Sequence, residues 1–154
     1  MIRLHVVTEG QTEQNFVRRV LASHLGGYEV YPDARCVLTS RDRRSGRMHR
    51  GGITGYERAR KDILSWIKED GSADCRFTTM FDLYALPEDF PGYGDAAKMS
   101  DPYRRIEFLE AALASSVEDR RFIPYIQLHE FEALILSDPA KLDGECLDRK
   151  REID

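Results

Sequence analysis

Four acidic residues follow predicted strands, at the points where the chain turns out of each strand. Glu9 comes directly after the apolar segment 3–8, and Asp82 ends the predicted strand 77–82. The other two follow the predicted strand 122–128, and they are Glu130 and Glu132. The carboxyl ends of parallel strands meet at one edge of a sheet, so we expect these carboxylates to converge there.

Carboxylates that converge in this way favour a divalent cation. They repel one another and raise one another's pKa unless a cation neutralises them. Oxygen ligands suit Mg²⁺ or Mn²⁺ and disfavour zinc. The sequence therefore predicts a metal site formed by Glu9, Asp82, Glu130 and Glu132, with Glu9 as general base or ligand. His129, beside the last pair, is the second catalytic candidate, as a proton shuttle or ligand.

Each of these residues also has a purely structural explanation. Glu9 could interact with the positive end of the first helix, a contact worth about 0.3–1 kcal/mol. Asp82 could accept a backbone hydrogen bond in the turn that follows it, and His129 could be a packing residue. Glu130 and Glu132 are two positions apart and point to different faces of a regular helix, so only one is expected to meet Glu9 and Asp82.

A basic segment at 40–53 forms the second candidate site. It is punctuated by glycines, which predicts an exposed loop. Clustered arginines neutralise phosphates well, although a solvated loop without a ligand is the alternative. The nucleic-acid-binding candidates are Arg41, Arg43, Arg44, Arg47 and Arg50.

The elements that must position these residues alternate along the chain. The predicted strands are 3–8, one strand or a small hairpin between 28 and 39, 77–82 and 122–128. The predicted helices are 13–24 with Thr12 as N-cap, 54–68, 103–116 and 129–136, with a long loop at 87–102. This order predicts an α/β fold whose mainly parallel four-stranded sheet has helices on both faces.

Composition favours a single soluble domain. The 154 residues, 42% of them hydrophobic, suffice for one core, which we expect over 1–143, with a charged, frayed tail at 144–154. The isolated Cys36, Cys75 and Cys146 support neither a disulfide framework nor a zinc site. No apolar stretch approaches the ~20 residues that span a bilayer, and the first segment is a strand and not a signal peptide. We therefore expect a cytoplasmic protein without a membrane partner.

The pentapeptide EGQTE at 9–13 follows a hydrophobic strand and resembles the signature of Toprim proteins, the metal-binding fold of nucleases and topoisomerases. The resemblance implies that Glu9 is a general acid or base and that a later Asp-x-Asp pair binds Mg²⁺. The matching stretch is Asp82-Leu83-Tyr84, so the second aspartate is missing. Glu13, Glu130 or Glu132 would have to supply that oxygen.

Three motifs together resemble an uncharacterised bacterial Toprim-like family that is often encoded beside ATPases in defence-type gene clusters. They are EGQTE at 9–13, FDLYALP at 81–87 and QLHEFEAL at 127–134. The resemblance implies a Mg²⁺-dependent nuclease or phosphoryl-transfer domain for DNA or RNA, acting in phage defence with a partner ATPase. Two alternatives stay open: a non-catalytic Toprim-like sensor or interaction module that partners an ATPase, and a small α/β interaction domain whose acidic residues cap helices. No nucleotide-binding loop occurs in the sequence, so ATP hydrolysis would belong to the partner.

Overall fold

The computed structural model describes residues 1–41, 48–50, 53, 55–131, 133, 134 and 137, with the backbone alone at 38–41 and 48–50. The strands are β1 (Ile2–Thr8), β2 (Val30–Cys36), β3 (Leu38–Arg41), β4 (Met48–Arg50), β5 (Cys75–Asp82), β6 (Phe122–Ile123) and β7 (Ile126–Gln127). The helices are α1 (Gln11–Phe16), α2 (Ala22–Gly26), α3 (Tyr56–Glu69), α4 (Tyr93–Ala96) and α5 (Pro102–Val117). A π-helical turn (Val17–Leu21) joins α1 to α2, and a 3₁₀ turn (Leu83–Ala85) follows β5.

The main sheet is parallel and has the order β2-β1-β5-β6, with β7 pairing with β5 beyond the end of β6. Thr8 lies opposite both Cys36 and Met80, so β1, β2 and β5 end at the same edge. β3 and β4 form a separate antiparallel pair. The prediction of a mainly parallel α/β sheet is confirmed.

Helices cover the two faces of this sheet unequally. Successive strand residues point to opposite faces, so Val7 and Phe77 join a large core with α3 and α5. Val6 and Met80 face the other way, into a small cluster with Val17 of the π-helical turn. One face of the sheet is therefore densely packed, and the other is packed in part.

The first helix differs from its predicted form in two respects. It begins at Gln11 with Gly10 as its N-cap, so the prediction of Thr12 at that position was wrong. The π-helical turn then changes the register of the side chains, and the apolar Val20 is 53% exposed. A π turn is rare and has a wider spacing than the 3.6-residue period used to predict the helix.

Of the two alternatives between 28 and 39, the structure has the single strand, and three other predicted segments are corrected. β2 is one continuous strand through Pro32, which is tolerated because β2 is the edge strand. The strand predicted at 122–128 is divided into β6 and β7. β3 and β4 pair within the predicted basic loop, and α4 lies within the predicted loop 87–102, because tertiary pairing and packing override local composition. The tail 144–154 and most of the predicted helix 129–136 lie outside the described residues.

No helix in the described part of the chain combines the length and the apolar character that crossing a membrane requires.

We predict that the densely packed face controls stability. Leu109 of α5 is fully buried, so Leu109→Ala should lower the free energy of unfolding by about 2–5 kcal/mol through the cavity it leaves. The matched control Val20→Ala, on the exposed side of the π-helical turn, should change it by less than about 0.5 kcal/mol. Urea unfolding of the two variants measures both values, and equal losses would contradict the packing described.

Candidate functional site

The carboxyl end of the main sheet brings together four carboxylates, Glu9, Glu13, Asp82 and Glu130, which we call the acidic edge. The negative charges of the other three all raise the pKa of Glu9, so each of them lies within electrostatic reach of Glu9. Glu9 is buried, Asp82 and Glu13 are half-buried, and Glu130 is exposed. The strand order produces this convergence, because β1 and β5 are neighbours and Asp82 is the register partner of Gln127 in β7.

Glu9 is the central group of the acidic edge. Its Oε1 accepts a hydrogen bond of 2.7 Å from the backbone N–H of Asp82, which joins the end of β1 to the end of β5. Burial is the main reason that the pKa of Glu9 rises to about 7, and the like charges of Asp82, Glu13 and Glu130 add to it. The hydrogen bond from Asp82 acts in the opposite direction but does not cancel them. Glu9 can therefore both bind and release a proton near neutral pH.

Glu13 stabilises the turn that places Glu9. Its Oε2 accepts a 2.8 Å hydrogen bond from the backbone N–H of Gly10, which satisfies a donor at the start of α1. A Cβ at position 10 would lie 3.0 Å from that oxygen, so glycine leaves room for the contact. Helix capping, which was the structural alternative for these carboxylates, thus describes Glu13.

Two residues of the site were not predicted from the sequence. Gln127 is buried beside Asp82, and its Oε1 accepts a hydrogen bond from the hydroxyl of Tyr125. Burial and the negative charges of Glu110 and Asp82 raise the pKa of Tyr125, so the phenol stays protonated next to the acidic edge. The start of the QLHEFEAL motif could have indicated Gln127. The sequence contains no comparable signal for Tyr125, because a tyrosine at this position is typical of an ordinary strand.

The remaining predicted site residues are placed as follows. His129 is exposed in the bend between Gln127 and Glu130. Arg41 ends β3 and Arg50 ends β4, with their backbones described. Glu132, Arg43, Arg44 and Arg47 lie outside the described residues. The catalytic, metal-binding and nucleic-acid-binding roles of all these residues stay predictions.

A possible metal-binding triad lies away from the acidic edge. Within the described ranges, only His5, Asp70 and Cys75 bring three potential ligand atoms within 4.8 Å of one another. No three described carboxylates of the acidic edge are gathered as tightly. The triad lies near the start of β5, toward the opposite end of that strand from Asp82.

The triad is already balanced by protein cations. The Asp70 carboxylate accepts two hydrogen bonds from the guanidinium of Arg3, one of 3.0 Å at Oδ2 and one of 2.9 Å at Oδ1. His5 Nε2 lies 2.8 Å from the same Oδ2. The His5 contact is the largest cause that lowers the pKa of Asp70 to about 2. Arg121 Nη1 donates a 3.4 Å hydrogen bond to Cys75 Sγ. Arg3 balances the charge of Asp70, and Arg121, which is paired with Asp119, donates to the Asp70 backbone oxygen. The cluster therefore fastens β1 and β5 to the end of α3 and has little net negative charge to attract a divalent cation.

This combination defines an α/β domain with a parallel sheet, a charge-balanced amino end and an acidic carboxyl end. The chain belongs to the family described as "Domain of unknown function (DUF4276)", whose model matches residues 8–153. The matched range includes every residue of the acidic edge. No curated protein and no solved structure matches the chain.

We predict that Glu9→Gln stabilises the metal-free protein at pH 8 and leaves its stability nearly unchanged at pH 4. Folding raises the pKa of Glu9 from 4.5 to about 7, so the protonated form is favoured and stability falls as the pH rises from 4.5 through 7. Glutamine keeps an oxygen acceptor for the Asp82 N–H but carries no charge. A shift of this size corresponds to about 3 kcal/mol as an upper value.

Urea unfolding with a chelator present measures this difference at the two pH values. Glu88→Gln, at an exposed glutamate, is the matched control and should have no effect at either pH. If Glu9→Gln stabilises the protein equally at pH 4 and pH 8, burial does not disfavour the charged form of Glu9, and the prediction is contradicted.

Proposed function

We propose that the acidic edge binds Mg²⁺ or Mn²⁺ and that the domain is a metal-dependent phosphodiesterase, a nuclease acting on DNA or RNA. The observation that carries this proposal is the buried carboxylate of Glu9, which is surrounded by three like charges. A buried carboxylate without a compensating cation costs free energy unless the site serves a ligand. A divalent cation is the ligand that such a site favours.

The donors of the acidic edge fit a hard cation. All of them are carboxylate oxygens, which Mg²⁺ and Mn²⁺ prefer. Asp82 would be the principal ligand, Glu9 a ligand or the general base, and Glu130 or Glu132 would complete the set. When bound, such an ion polarises the scissile phosphate and lowers the pKa of the attacking water.

The protein's own contribution is the placement and the proton affinity of Glu9. The Asp82 N–H fixes Oε1, and Oε2 makes no hydrogen bond to a described residue, so it can face a ligand. Burial raises the pKa of Glu9 in the metal-free protein to about 7, and a bound cation would hold Glu9 as the carboxylate, the form that accepts a proton from water. His129, exposed next to Glu130, is the proposed group that passes the proton to solvent.

The basic segment is the proposed phosphate-binding element. Val37 N donates a 2.9 Å hydrogen bond to Thr8 O, and β3 begins at the next residue. The chain therefore enters the basic segment from the same edge of the sheet as Glu9. We propose that Arg41, Arg43, Arg44, Arg47 and Arg50 hold the nucleic-acid backbone, since carboxylates alone would repel it.

We also propose that this family is Toprim-like, and that the domain acts in the cytoplasm in phage defence beside a partner ATPase. The motif order supports this relationship, with EGQTE after the first strand of a parallel sheet and Asp82 at the end of its neighbour. An ATPase partner would supply the nucleotide hydrolysis for which this sequence has no phosphate-binding loop.

A second candidate function is a non-catalytic Toprim-like sensor or interaction module that partners an ATPase. It is favoured by Tyr84, which stands where the resemblance implies a second aspartate and is 63% exposed. It is also favoured by the spacing of the described carboxylates, which is wider than that of the His5 triad. In this function the acidic edge would bind a cation or a partner without hydrolysis.

We predict Mn²⁺- or Mg²⁺-dependent cleavage of labelled DNA or RNA by the wild-type protein. Glu9→Gln and Asp82→Asn should each lower the rate by about 10²–10⁴-fold, because each removes a charge from the reacting centre and keeps the shape of the side chain. Glu88→Gln, an exposed glutamate outside the acidic edge, should cleave like the wild type. Single-stranded and duplex forms of both nucleic acids are tested in parallel.

Cleavage that survives in Glu9→Gln and Asp82→Asn would point to a contaminating nuclease and contradict the proposal. Metal binding without cleavage, alone and with the candidate ATPase, would favour the non-catalytic module. Metal binding and cleavage are measured on the same protein preparations, so a metal-binding protein without activity is distinguished from a nuclease.

A further inference from the structure

Tyr125 is held more rigidly than a half-exposed side chain requires. It lies between β6 and β7, where Thr79 Oγ1 accepts a 3.0 Å hydrogen bond from Tyr125 N and donates one of 2.8 Å to Tyr125 O. The next residue is fixed as well, since Ile126 N donates to Glu110 Oε1 at 2.8 Å. The phenol donates to Gln127 Oε1. A ring that is 41% exposed is thus fixed at its backbone and at its tip.

The ring borders a groove on the partly packed face of the sheet. This groove has a volume of about 470 Å³, which is within the usual range for a ligand site. Its walls are almost entirely apolar and include Phe16, Met80, Pro124, Tyr125 and Leu134. Phe16 is itself supported by an edge-to-face contact with Phe131 at 5.1 Å.

The groove leads toward the acidic edge. Met80 and Asp82 are alternate residues of β5, on the same face of the sheet and about 7 Å apart along the strand. Tyr125, which lines the groove, lies close enough to Asp82 for the charge of that carboxylate to act on the phenol. A ligand bound in the groove would therefore lie next to a phosphate bound at the acidic edge.

We propose that Tyr125 contacts the substrate, and that its ring and the groove hold one unpaired nucleobase beside the phosphodiester at the acidic edge. This inference rests on the proposed nuclease function and adds the substrate class, single-stranded nucleic acid. A base in a duplex is covered on both faces and paired at its edge, so it cannot enter the groove. A flat apolar ring is what a rigid aromatic wall binds well, and such stacking tolerates any base.

Charge distinguishes nucleic acid as the ligand of the groove from a second copy of the chain. The acidic edge repels phosphates less when a cation has neutralised it, so the metal should strengthen the binding of nucleic acid at the groove. Association between two apolar grooves would not require it. The metal dependence of binding is therefore part of the inference.

The test measures binding of fluorescent single-stranded and duplex oligonucleotides in Mn²⁺ by fluorescence anisotropy, with phosphorothioate linkages that resist cleavage. In Mn²⁺ the wild type should bind single strands at least tenfold more tightly than duplex, and removal of Mn²⁺ with a chelator should weaken single-strand binding. Tyr125→Ala should weaken single-strand binding roughly 5- to 150-fold, and Tyr125→Phe, which keeps the ring, should bind within about threefold of wild type. Tyr28→Ala is the matched control, since Tyr28 is exposed and precedes β2 at the opposite edge of the sheet.

Leu134→Glu is the second variant, because an exposed residue at the groove tolerates the change and places a negative charge at its mouth. It should weaken single-strand binding as Tyr125→Ala does. The inference is overturned if both variants bind like wild type, if duplex binds as tightly as single strands, or if wild type is a dimer that Leu134→Glu converts to a monomer.

The cleavage assay keeps this failure distinct from failure of the proposed function. Wild-type cleavage with unchanged binding by Tyr125→Ala would overturn only the role of Tyr125. Neither cleavage nor metal-dependent binding by the wild type would overturn both.

Discussion

The structure depends on one costly contact, the burial of the Glu9 carboxylate against the backbone N–H of Asp82. This hydrogen bond joins the ends of β1 and β5, and so it fixes the edge at which Asp82 and Glu130 meet Glu9. The same geometry gathers like charges around a group that has lost most of its water, and this raises the pKa of Glu9 to about 7. Binding of either a proton or a cation would lower the electrostatic cost of the buried Glu9 carboxylate.

The two ends of the sheet use charge in opposite ways. Near the amino end, Arg3 pairs with the Asp70 carboxylate, and Arg121, itself paired with Asp119, donates to the Asp70 backbone oxygen and to Cys75. The resulting cluster ties the starts of β1 and β5 to α3. At the carboxyl end, the buried carboxylate of Glu9 lies near the like charges of Asp82, Glu13 and Glu130, which raise its pKa. Charges paired with opposite charges stabilise a fold, whereas a buried carboxylate whose pKa is raised by burial and like charges is typical of a ligand site. This contrast is the reason that we place function at the acidic edge, although the His5 triad is the tighter cluster.

The sequence predicted the convergence of Glu9, Asp82 and Glu130 because alternating strands and helices imply a parallel sheet, and a parallel sheet has one carboxyl edge. It could not predict which individual side chains form hydrogen bonds between distant elements. Thr79 divides the last strand by bonding to Tyr125, 46 positions away, and the pairing of Asp70 with Arg3 spans 67 positions. The π-helical turn that exposes Val20 has no signature in a 3.6-residue period. The capping role of Glu13 was within reach, since its spacing from Gly10 is that of a capping box.

The most direct test of the central claim is calorimetric titration of the wild-type protein with Mn²⁺ at pH 7 in buffers of different ionisation enthalpy. If the cation replaces a proton on Glu9, binding should release about half a proton per site at pH 7, more at pH 6 and almost none at pH 8.5. Glu9→Gln should release none. Mn²⁺ binding without proton release at any of these pH values, or no binding at all, would contradict the account of the acidic edge.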